Sequence, residues 1–333
     1  MKAFIKGISY YLPKQVLSNS DLEKEFPEWT AEKVGKKIGV NKRHIAAEEE
    51  TSADMAVKAA RMLLKEHEVN SEVIDFVILC TQSPDYFLPT SACLIQDKLG
   101  IPVHSGAIDF NLGCSGFVYG LAFAKGLVLG GMAKNVLLLT SETYSKFMHP
   151  ADKSNRSIFG DAAAATLISV DGFAEIKEFS FGTDGSGAEN LIVRTGGFRH
   201  PGTKEDLMDD PSGNPVSSDF LFMNGTEIFN FTLEMVPKLV EATLIKNQLN
   251  QESINMFVFH QANKYMLNFL RKKIRIPEER FYYCLEKTGN TVSATIPIAL
   301  YEAIREKRFK KGNNVLLAGF GVGYSWAGTV LKF

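Results

Sequence analysis

The sequence has few cysteines and no pattern that would use them structurally. Its 333 residues include four cysteines, and no two of these are spaced as Cys-x-x-Cys. Such scattered cysteines argue against a disulfide framework and against a zinc ribbon. The sequence also has no run of 18 apolar residues and no apolar segment near its start, so we expect neither membrane insertion nor a signal peptide. These absences predict a cytoplasmic protein with reduced thiols.

An excess of charge of one sign is absent as well. The chain has 37 lysines and arginines against 38 aspartates and glutamates, which gives a formal net charge of -1. A chain without a global field is not expected to have nucleic acid or a membrane surface as its main partner. Hydrophobic residues make up 45% and charged residues 23% of the chain, which is typical of a globular protein. The length allows about two to three domain-sized units.

Three short apolar segments of the first half recur in the same order in the second half. Each is rich in apolar residues, as the central strands of a buried sheet are. The matched segments are 75–80 and 255–260, 134–140 and 313–319, and 164–170 and 327–333. Because helical patterns lie between them, we predict an α/β protein of two duplicated halves, residues 1–172 and 173–333. A chance similarity among ordinary strands is the alternative.

Helical patterns differ in character along the chain. Residues 51–66 begin with a Thr-Ser-Ala-Asp capping pattern, which predicts the start of a helix. Residues 115–129 are apolar on all sides and predict a buried helix, whereas 229–248 and 264–274 predict amphipathic helices. Residues 195–220 have no periodicity and are rich in glycine, proline, aspartate and serine. We interpret them as an inserted loop or lid.

Cys114 is the first candidate for chemistry, because it lies at the predicted turn from a strand into the buried helix. Free N–H groups and the helix dipole at such a position favour a thiolate, so we expect a lowered pKa. Gly113 and Gly116 beside it leave room for a substrate and a tight turn. An inert buried cysteine is the alternative.

Two further polar residues are candidates in the second half. His260 follows a buried strand at the position matched by Cys80 in the first half, and strand ends are where open α/β sheets bind ligands. Asn290 lies in a Thr-Gly-Asn-Thr turn. A hydrogen-bonded core histidine and a turn asparagine are the alternatives. The glycine-rich run 319–323 lacks the residues of a phosphate loop, but it can bring a backbone N–H to a reacting oxygen.

Taken together, these segments resemble the thiolase-fold condensing enzymes over the whole chain, and most closely β-ketoacyl-acyl-carrier-protein synthase III. The matching motifs are Gly-Cys-Ser-Gly-Phe at Cys114, His-Gln-Ala-Asn at His260, Gly-Asn-Thr at Asn290, Ile-Phe-Gly-Asp at Asp161 and Gly-Phe-Gly-Val-Gly-Tyr-Ser-Trp near the end. Related elongating synthases are expected to use Cys/His/His, and thiolases Cys/His/Cys. The resemblance implies two βαβαβαββ halves in a layered αβαβα core.

The resemblance also implies a reaction. Cys114 would take an acyl group from acyl-coenzyme A, with the backbone N–H groups of Cys114 and Val322 as the oxyanion hole. Malonyl-acyl-carrier protein would then lose carbon dioxide, and His260 and Asn290 would donate hydrogen bonds to its thioester oxygen. Coenzyme A is a substrate here, and neither a metal nor another cofactor is implied. The family further implies a homodimer.

The residues that the resemblance implies for substrate binding depart partly from the family pattern. For coenzyme A and the carrier protein they are Trp29, Lys33, Lys37, Lys153, Gln261, Asn263 and Lys264. Lys33, Lys37 and Lys153 align with a family tryptophan and two arginines, and Tyr265 replaces a family arginine.

The implied acyl pocket also departs from the pattern. Phe87 and Leu88 are expected to reach the partner's acyl pocket. Leu88 replaces a larger phenylalanine, and we expect this change to favour branched or medium acyl groups. Residues of the inserted loop are expected to add apolar cover, namely Phe198, Leu207, Met208 and Phe220.

Three other functions are left open by the sequence. An acyltransferase of the same fold would transfer its acyl group to an alcohol or amine, without decarboxylation. A cysteine hydrolase would use Cys114, His260 and Asn290 as a papain-like triad, although the glycine-rich turn and the duplicated halves speak against it. A binding module without catalysis would not need all three of these residues.

Overall fold

A computed structural model describes residues 2–211 and 213–333. The strands are β1 (Phe4–Tyr11), β2 (Gln15–Ser18), β3 (Lys42–Ile45), β4 (Phe76–Cys80), β5 (Gly106–Phe110), β6 (Asn135–Glu142), β7 (Ala162–Ser169), β8 (Ala174–Thr183), β9 (Leu191–Ile192), β10 (Met208–Asp209), β11 (Pro215–Val216), β12 (Phe222–Met223), β13 (Met256–Phe259), β14 (Asn314–Gly321) and β15 (Ser325–Lys332). The helices are α1 (Asn19–Glu25), α2 (Ala31–Ile38), α3 (Ser52–Glu66), α4 (Ser91–Lys98), α5 (Gly116–Leu129), α6 (Lys153–Arg156), α7 (Gly225–Lys246), α8 (Lys264–Ile274) and α9 (Thr295–Arg305).

The large sheet has the same strand order on both sides of its centre. Its order is β13-β14-β15-β8-β1-β7-β6-β4-β5. In each half a parallel pair, β4 with β6 or β13 with β14, is followed by two antiparallel pairs. The three segment pairs matched in the sequence are therefore β4 with β13, β6 with β14, and β7 with β15. The predicted boundary at residues 172 and 173 falls between β7 and β8.

The helices form three layers around these strands. Helices α5 and α9 contact strands of both halves and lie between them, whereas α3 covers the first half and α7 the second. The order of layers is α3, the strands of the first half, α5 with α9, the strands of the second half, and α7. This is the αβαβα layering that the family resemblance implies. A central helix is enclosed on both sides, which explains why α5 is apolar all round instead of amphipathic. In the described part of the chain, no helix combines the length and apolar character needed to cross a membrane.

The helix predictions are confirmed, with one shift of boundaries. The side chain of Thr51 caps α3 in a capping box with Asp54, and α8 has the predicted bounds. The helix predicted over 229–248 instead begins at Gly225, because the Asn224 side chain accepts a hydrogen bond from the N–H of Glu227. This N-cap lies five residues before the apolar pattern begins, so the pattern alone could not find it.

The two halves meet at the start of α5. A β-carbon on Gly319 would lie 2.8 Å from the Cα of Ser115, and one on Gly321 would lie 2.9 Å from the sulfur of Cys114. The buried hydroxyls of Ser115 and Ser325 lie 2.6 Å apart. The end of β14 and the start of β15 therefore hold the first residues of α5 in direct backbone contact.

Helix α5 offers a test of this packing with a matched control. A β-carbon at Gly116 would lie 2.2 Å from the Cys80 sulfur, whereas one at Gly126 would meet nothing within 4 Å. We expect Gly116→Ala to lower the free energy of unfolding by about 1–3 kcal/mol through overpacking. Gly126→Ala should raise it by up to about 1 kcal/mol. Denaturant unfolding measures both.

Adding Cys80→Ala to Gly116→Ala should restore most of the lost stability, because it removes the clashing sulfur. Equal unfolding midpoints for Gly116→Ala and Gly126→Ala would contradict the described packing.

Candidate active site

Cys114 lies where the glycines of β14 meet the start of α5. Its side chain is buried, and the next residue, Ser115, is the N-cap of α5. The backbone N–H groups of Cys114 and Val322 lie near the sulfur and act to lower the pKa of its thiol. These are the two N–H groups that the family resemblance implies as the oxyanion hole. The structure therefore brings both of them to the candidate nucleophile.

The predicted lowering of the Cys114 pKa is wrong for the resting protein. Burial raises the pKa of this thiol to about 12, and the carboxylate of Glu142 raises it further, although the two N–H groups act in the opposite direction. The sequence shows the helix start but not how completely the site is enclosed, and enclosure is the larger effect. Cys114 is therefore a neutral thiol at neutral pH.

His260 is a buried, neutral imidazole. Burial lowers its pKa to about 3, against a smaller opposing effect of the nearby Val292 backbone. The Nδ1 atom lies 2.7 Å from the hydroxyl oxygen of Thr295, the first residue of α9. With Nδ1 occupied in this way, the other ring nitrogen, Nε2, is the atom that can serve a substrate.

Asn290 presents the donor side of its amide. The side-chain oxygen accepts a hydrogen bond of 2.9 Å from the N–H of Val292, which leaves the NH₂ group for other partners. Two backbone hydrogen bonds fix the residue, from its N–H to the carbonyl of Ile158 and from the N–H of Gly160 to its carbonyl. Val292 packs in one apolar cluster with Cys114, and its carbonyl lies 3.1 Å from the hydroxyl of Thr295, the partner of His260. The turn after Asn290 therefore links all three predicted residues through Val292 and Thr295.

Glu142 is a residue of this site that the sequence reasoning missed. It is fully buried at the end of β6, and burial raises its pKa to about 8. Its carboxylate accepts hydrogen bonds from the N–H of Gln82 at 2.9 Å and from the Ser293 hydroxyl at 2.8 Å. It therefore ties the end of β6 to a loop after β4 and to the Asn290 turn. The sequence signal that could have identified Glu142 is a carboxylate at the end of an apolar strand.

A cavity of about 970 Å³ opens beside Val322 and is lined by the loop after β4, the segment after β6 and the start of the inserted loop. Close to Gly113, its wall carries a polar pair in which the Tyr144 hydroxyl donates to the Gln82 side-chain oxygen at 2.8 Å. Phe147, Leu191 and Leu221 add apolar surface. The cavity has the size and mixed lining of a small-molecule site.

Only one of the two predicted acyl-pocket residues lines this cavity. Phe87 lines the cavity, whereas Leu88 does not line it and is 81% exposed. Phe198 packs on Phe87 with ring centroids 5.7 Å apart. Leu207 and Met208, which are predicted as further cover, are exposed in the single chain, as is Phe198. The short hairpin of β10 and β11 turns this part of the loop outward.

The residues predicted for coenzyme A lie around α2. The Lys33 and Lys37 ammonium groups stand 5.3 and 5.9 Å from the centre of the Trp29 ring. Lys153 forms an ion pair of 3.0 Å with Glu28, next to this tryptophan. A compact group of three cations and one indole thus replaces the family's tryptophan and arginines.

The carrier-binding prediction for Gln261 is not supported by the structure. Its amide NH₂ donates to the carbonyl of Phe259 at 2.7 Å, and its oxygen accepts from the N–H of Cys284 at 2.7 Å. A buried amide with these internal partners holds its own loop in place. Asn263 caps α8 through the N–H of Met266, and Lys264 is exposed at the start of that helix.

Among residues 2–211 and 213–333, no group of three or more histidines, cysteines, aspartates or glutamates stands close enough to hold a metal ion.

Comparison with known proteins agrees with this geometry. The family model described as 3-oxoacyl-acyl-carrier-protein synthase III matches residues 108–185, and its C-terminal counterpart matches residues 244–333. A β-ketoacyl-acyl-carrier-protein synthase III of Clostridium perfringens is 36% identical over 98% of both chains. A crystal structure of a 3-oxoacyl-acyl-carrier-protein synthase III is 50% identical over the full length of both chains, with a TM-score of 0.98. One from Burkholderia xenovorans is 38% identical over 99% of this chain and 94% of that chain, with a TM-score of 0.91.

The raised pKa of Cys114 and Glu142 gives a pH-dependent prediction for Glu142→Gln. Near pH 7 the carboxyl of Glu142, with a pKa of about 8, is mostly neutral, so alkylation of Cys114 by iodoacetamide should be similar in both proteins. Above pH 8 the carboxylate of the wild type opposes the thiolate. We therefore expect the variant to react several-fold faster at pH 9.

Peptide mapping is needed to separate Cys114 from the exposed Cys93. Glu241→Gln, at an exposed position of α7, is the control and should leave the profile unchanged. Identical pH profiles for wild type and Glu142→Gln would refute the coupling.

Proposed function

Since this chain belongs to the 3-oxoacyl-acyl-carrier-protein synthase III family, we propose that Cys114, His260 and Asn290 carry out its decarboxylative condensation. The chain is an acyltransferase that makes 3-oxoacyl-carrier protein, consistent with the initiation of fatty acid synthesis. The observation that carries the residue assignment is the convergence of the two N–H groups of Cys114 and Val322 on a buried thiol. The acyl donor is acyl-coenzyme A and the acceptor is malonyl-acyl-carrier protein.

In the first half-reaction the Cys114 sulfur attacks the thioester carbon of acyl-coenzyme A. The bond from acyl carbon to Cys114 forms, the bond to the coenzyme A sulfur breaks, and the thiol proton ends on the departing thiol. Negative charge develops on the thioester oxygen, where the N–H groups of Cys114 and Val322 are fixed to receive it. Donors that are in place before the charge appears lower the barrier without reorganisation.

In the second half-reaction the malonyl group loses carbon dioxide, and its electron pair forms an enolate. The oxygen of that enolate accepts hydrogen bonds from the Asn290 NH₂ group and from Nε2 of His260. The enolate carbon then attacks the acyl carbon on Cys114, the bond from that carbon to the sulfur breaks, and the sulfur takes up a proton from solvent. A neutral imidazole can donate from only one nitrogen, so Nε2 must carry the proton in this step. This chemistry requires no resident cofactor.

Substrate binding is proposed for two surfaces near α2 and α8. Trp29 with Lys33, Lys37 and Lys153 would receive the adenine and phosphates of coenzyme A through stacking and charge. Helix α8 has Lys264 in its first turn and three cations in its last turn, which suits an acidic carrier protein. Tyr265 and Phe269, both exposed with ring centroids 4.8 Å apart, would add an apolar contact there. The proposed compartment is the cytoplasm, in keeping with four free cysteines.

A homodimer is proposed from the edge of the sheet. Strand β5 is the last strand of the sheet order, and Ile108 at its centre is exposed. Phe123 and Phe181 are also exposed and belong to an aromatic row beside this strand. An uncovered apolar edge strand is a site for pairing with another chain. Pairing of β5 with β5 of a second copy would cover the row and form a two-fold dimer.

The hydrogen bonds of the site bear differently on the two alternative enzymes, the cysteine hydrolase and the acyltransferase to an alcohol or amine. A papain-like hydrolase needs its asparagine to orient the histidine, but the Asn290 oxygen accepts from Val292 and the partner of His260 is Thr295. The hydrolase is therefore disfavoured. An acyltransferase to an alcohol or amine would use Cys114 in the same way, but it would have no enolate for Asn290 to stabilise.

The experiment that tests the function separates the two half-reactions. Intact-mass measurement after exposure to acyl-coenzyme A should show an acyl adduct, which Cys114→Ala abolishes. Asn290→Ala should still form the adduct but should lose roughly 10²–10³-fold in the step with malonyl-carrier protein, because one donor to the enolate is missing.

Cys80→Ala is the control, since Cys80 is buried and its thiol donates to the Leu112 carbonyl; the adduct should persist. Equal losses in both half-reactions of Asn290→Ala would reject the division of roles. An adduct that survives Cys114→Ala would reject the nucleophile.

The proposed dimer can be tested by introducing a charged side chain into the edge strand β5. We expect Ile108→Lys to give a monomeric mass by light scattering at micromolar concentration, because the lysine places a charge in an apolar contact. Ile245→Lys, at an isoleucine that is exposed on α7, should leave the dimer intact. A monomeric wild type, or a dimeric Ile108→Lys, would count against pairing through β5.

A further inference from the structure

The ring of His260 has a hydroxyl partner whose single proton can be placed in two ways. The Thr295 oxygen lies 2.7 Å from Nδ1 of His260 and 3.1 Å from the carbonyl oxygen of Val292. A hydroxyl can donate to only one of these, and it can accept from Nδ1 when the ring carries its proton there. The direction of this hydrogen bond therefore decides which ring nitrogen is protonated.

The Val292 carbonyl does not depend on that hydroxyl. It also accepts the backbone N–H of Thr295, so the hydroxyl can turn to Nδ1 while the buried carbonyl keeps a partner. The carbonyl itself can only accept. Between these two groups, the Thr295 hydroxyl alone can donate to Nδ1 and leave the proton on Nε2.

Val292 connects the two proposed donors to each other. Its N–H donates to the Asn290 oxygen at 2.9 Å, and its carbonyl is in hydrogen-bond contact with the backbone N–H and the hydroxyl of Thr295, the partner of the His260 ring. Its φ is +54°, an uncommon conformation for a β-branched residue. Such a conformation persists when surrounding contacts hold it, and it often marks a functional site. The turn from Asn290 to Thr295 thus behaves as one hydrogen-bonded unit around Nδ1 of His260.

The position of Thr295 also disfavours a second proton on the ring. Thr295 is the first residue of α9, where the helix dipole is positive and opposes an imidazolium. With the ring neutral, its proton must lie on one nitrogen or the other. The hydrogen bond at Nδ1 is then the means by which the fold selects the tautomer.

We propose that Thr295 is a positioning residue whose hydroxyl donates to Nδ1 of His260 and so stabilises the tautomer with the proton on Nε2. Its kinetic consequence rests on the proposed function, in which Nε2 donates to the enolate oxygen. The tautomer itself can be measured in the protein without substrate.

The test compares Thr295→Val, which keeps the shape and removes the hydroxyl, with Thr295→Ser, which keeps the hydroxyl. Nitrogen-15 NMR of histidine-labelled protein reports the protonation of each ring nitrogen, and His260→Ala identifies the His260 signals. In the wild type and Thr295→Ser we expect a protonated Nε2 and a hydrogen-bonded, unprotonated Nδ1. In Thr295→Val the ratio should move several-fold toward the proton on Nδ1.

Half-reaction rates give the second measurement. Thr295→Val should lower the malonyl step by roughly 10–10²-fold, leave acylation of Cys114 within a few-fold, and be rescued by Thr295→Ser. Thr140→Val is the matched control, because the Thr140 hydroxyl in β6 lies outside this turn, is equally buried and has no hydrogen-bond partner among the described residues. It should change neither the spectrum nor the rates. Thr295→Ala removes the same hydroxyl without the branched shape, and it serves if Thr295→Val does not fold.

The outcomes separate this inference from the proposed function. The role of Thr295 would be overturned if the His260 signals were unchanged in Thr295→Val, or if the ring of the wild type carried its proton on Nδ1. Both outcomes are independent of the reaction that the enzyme catalyses. If the spectra were as expected but the wild type showed no malonyl-dependent reaction, the spectra would support the tautomer. The missing reaction would reject the proposed function. Equal loss of both half-reactions with an unchanged spectrum would reduce Thr295 to a structural residue.

Discussion

The close contact between the glycines of β14 and the start of α5 is the constraint on which the active site depends. Side chains at Gly319 or Gly321 would overlap Ser115 or Cys114, so the two halves can approach only because these β-carbons are missing. The contact fixes Cys114 beside the N–H of Val322, a residue of the other half. Neither half alone contains both of the N–H groups proposed as the oxyanion hole. The duplication therefore has a functional consequence, because the site exists only at the junction.

Burial at this junction also sets the protonation states. The thiol of Cys114 has a pKa raised to about 12, and His260 a pKa lowered to about 3, both chiefly because water is excluded. The resting site therefore holds uncharged reacting groups. Negative charge that develops during the reaction meets fixed hydrogen-bond donors instead of solvent. In a site without water each of these hydrogen bonds has its largest effect. A low thiol pKa would be needed for a standing thiolate, but the proposed chemistry requires only that the charge be stabilised when it passes to the thioester oxygen.

The sequence predicts the fold well because its signals are local. Buried strands such as β6 and β14 are continuous apolar runs, and a capping pattern marks the start of α3. The candidate nucleophile and donors follow from motifs, but their electrostatics do not. The Cys114 pKa depends on enclosure by segments up to about 200 residues away, and Glu142, Thr295 and Val292 act through contacts between distant segments. Positive φ at a valine leaves no mark in a hydrophobicity pattern.

The matched ends of β4 and β13 show how the two halves have come to differ. Cys80 ends β4, and its sulfur packs against Gly116 while its thiol donates to the Leu112 carbonyl. Burial raises its pKa well above the ordinary value, so this cysteine fills space beneath α5. His260, at the equivalent end of β13, instead meets a hydroxyl that can donate or accept. In the proposed mechanism the first half supplies the nucleophile from the start of α5, and the second half supplies the donors from its strand end and the following turn. An equivalent position can therefore serve packing in one half and proton placement in the other.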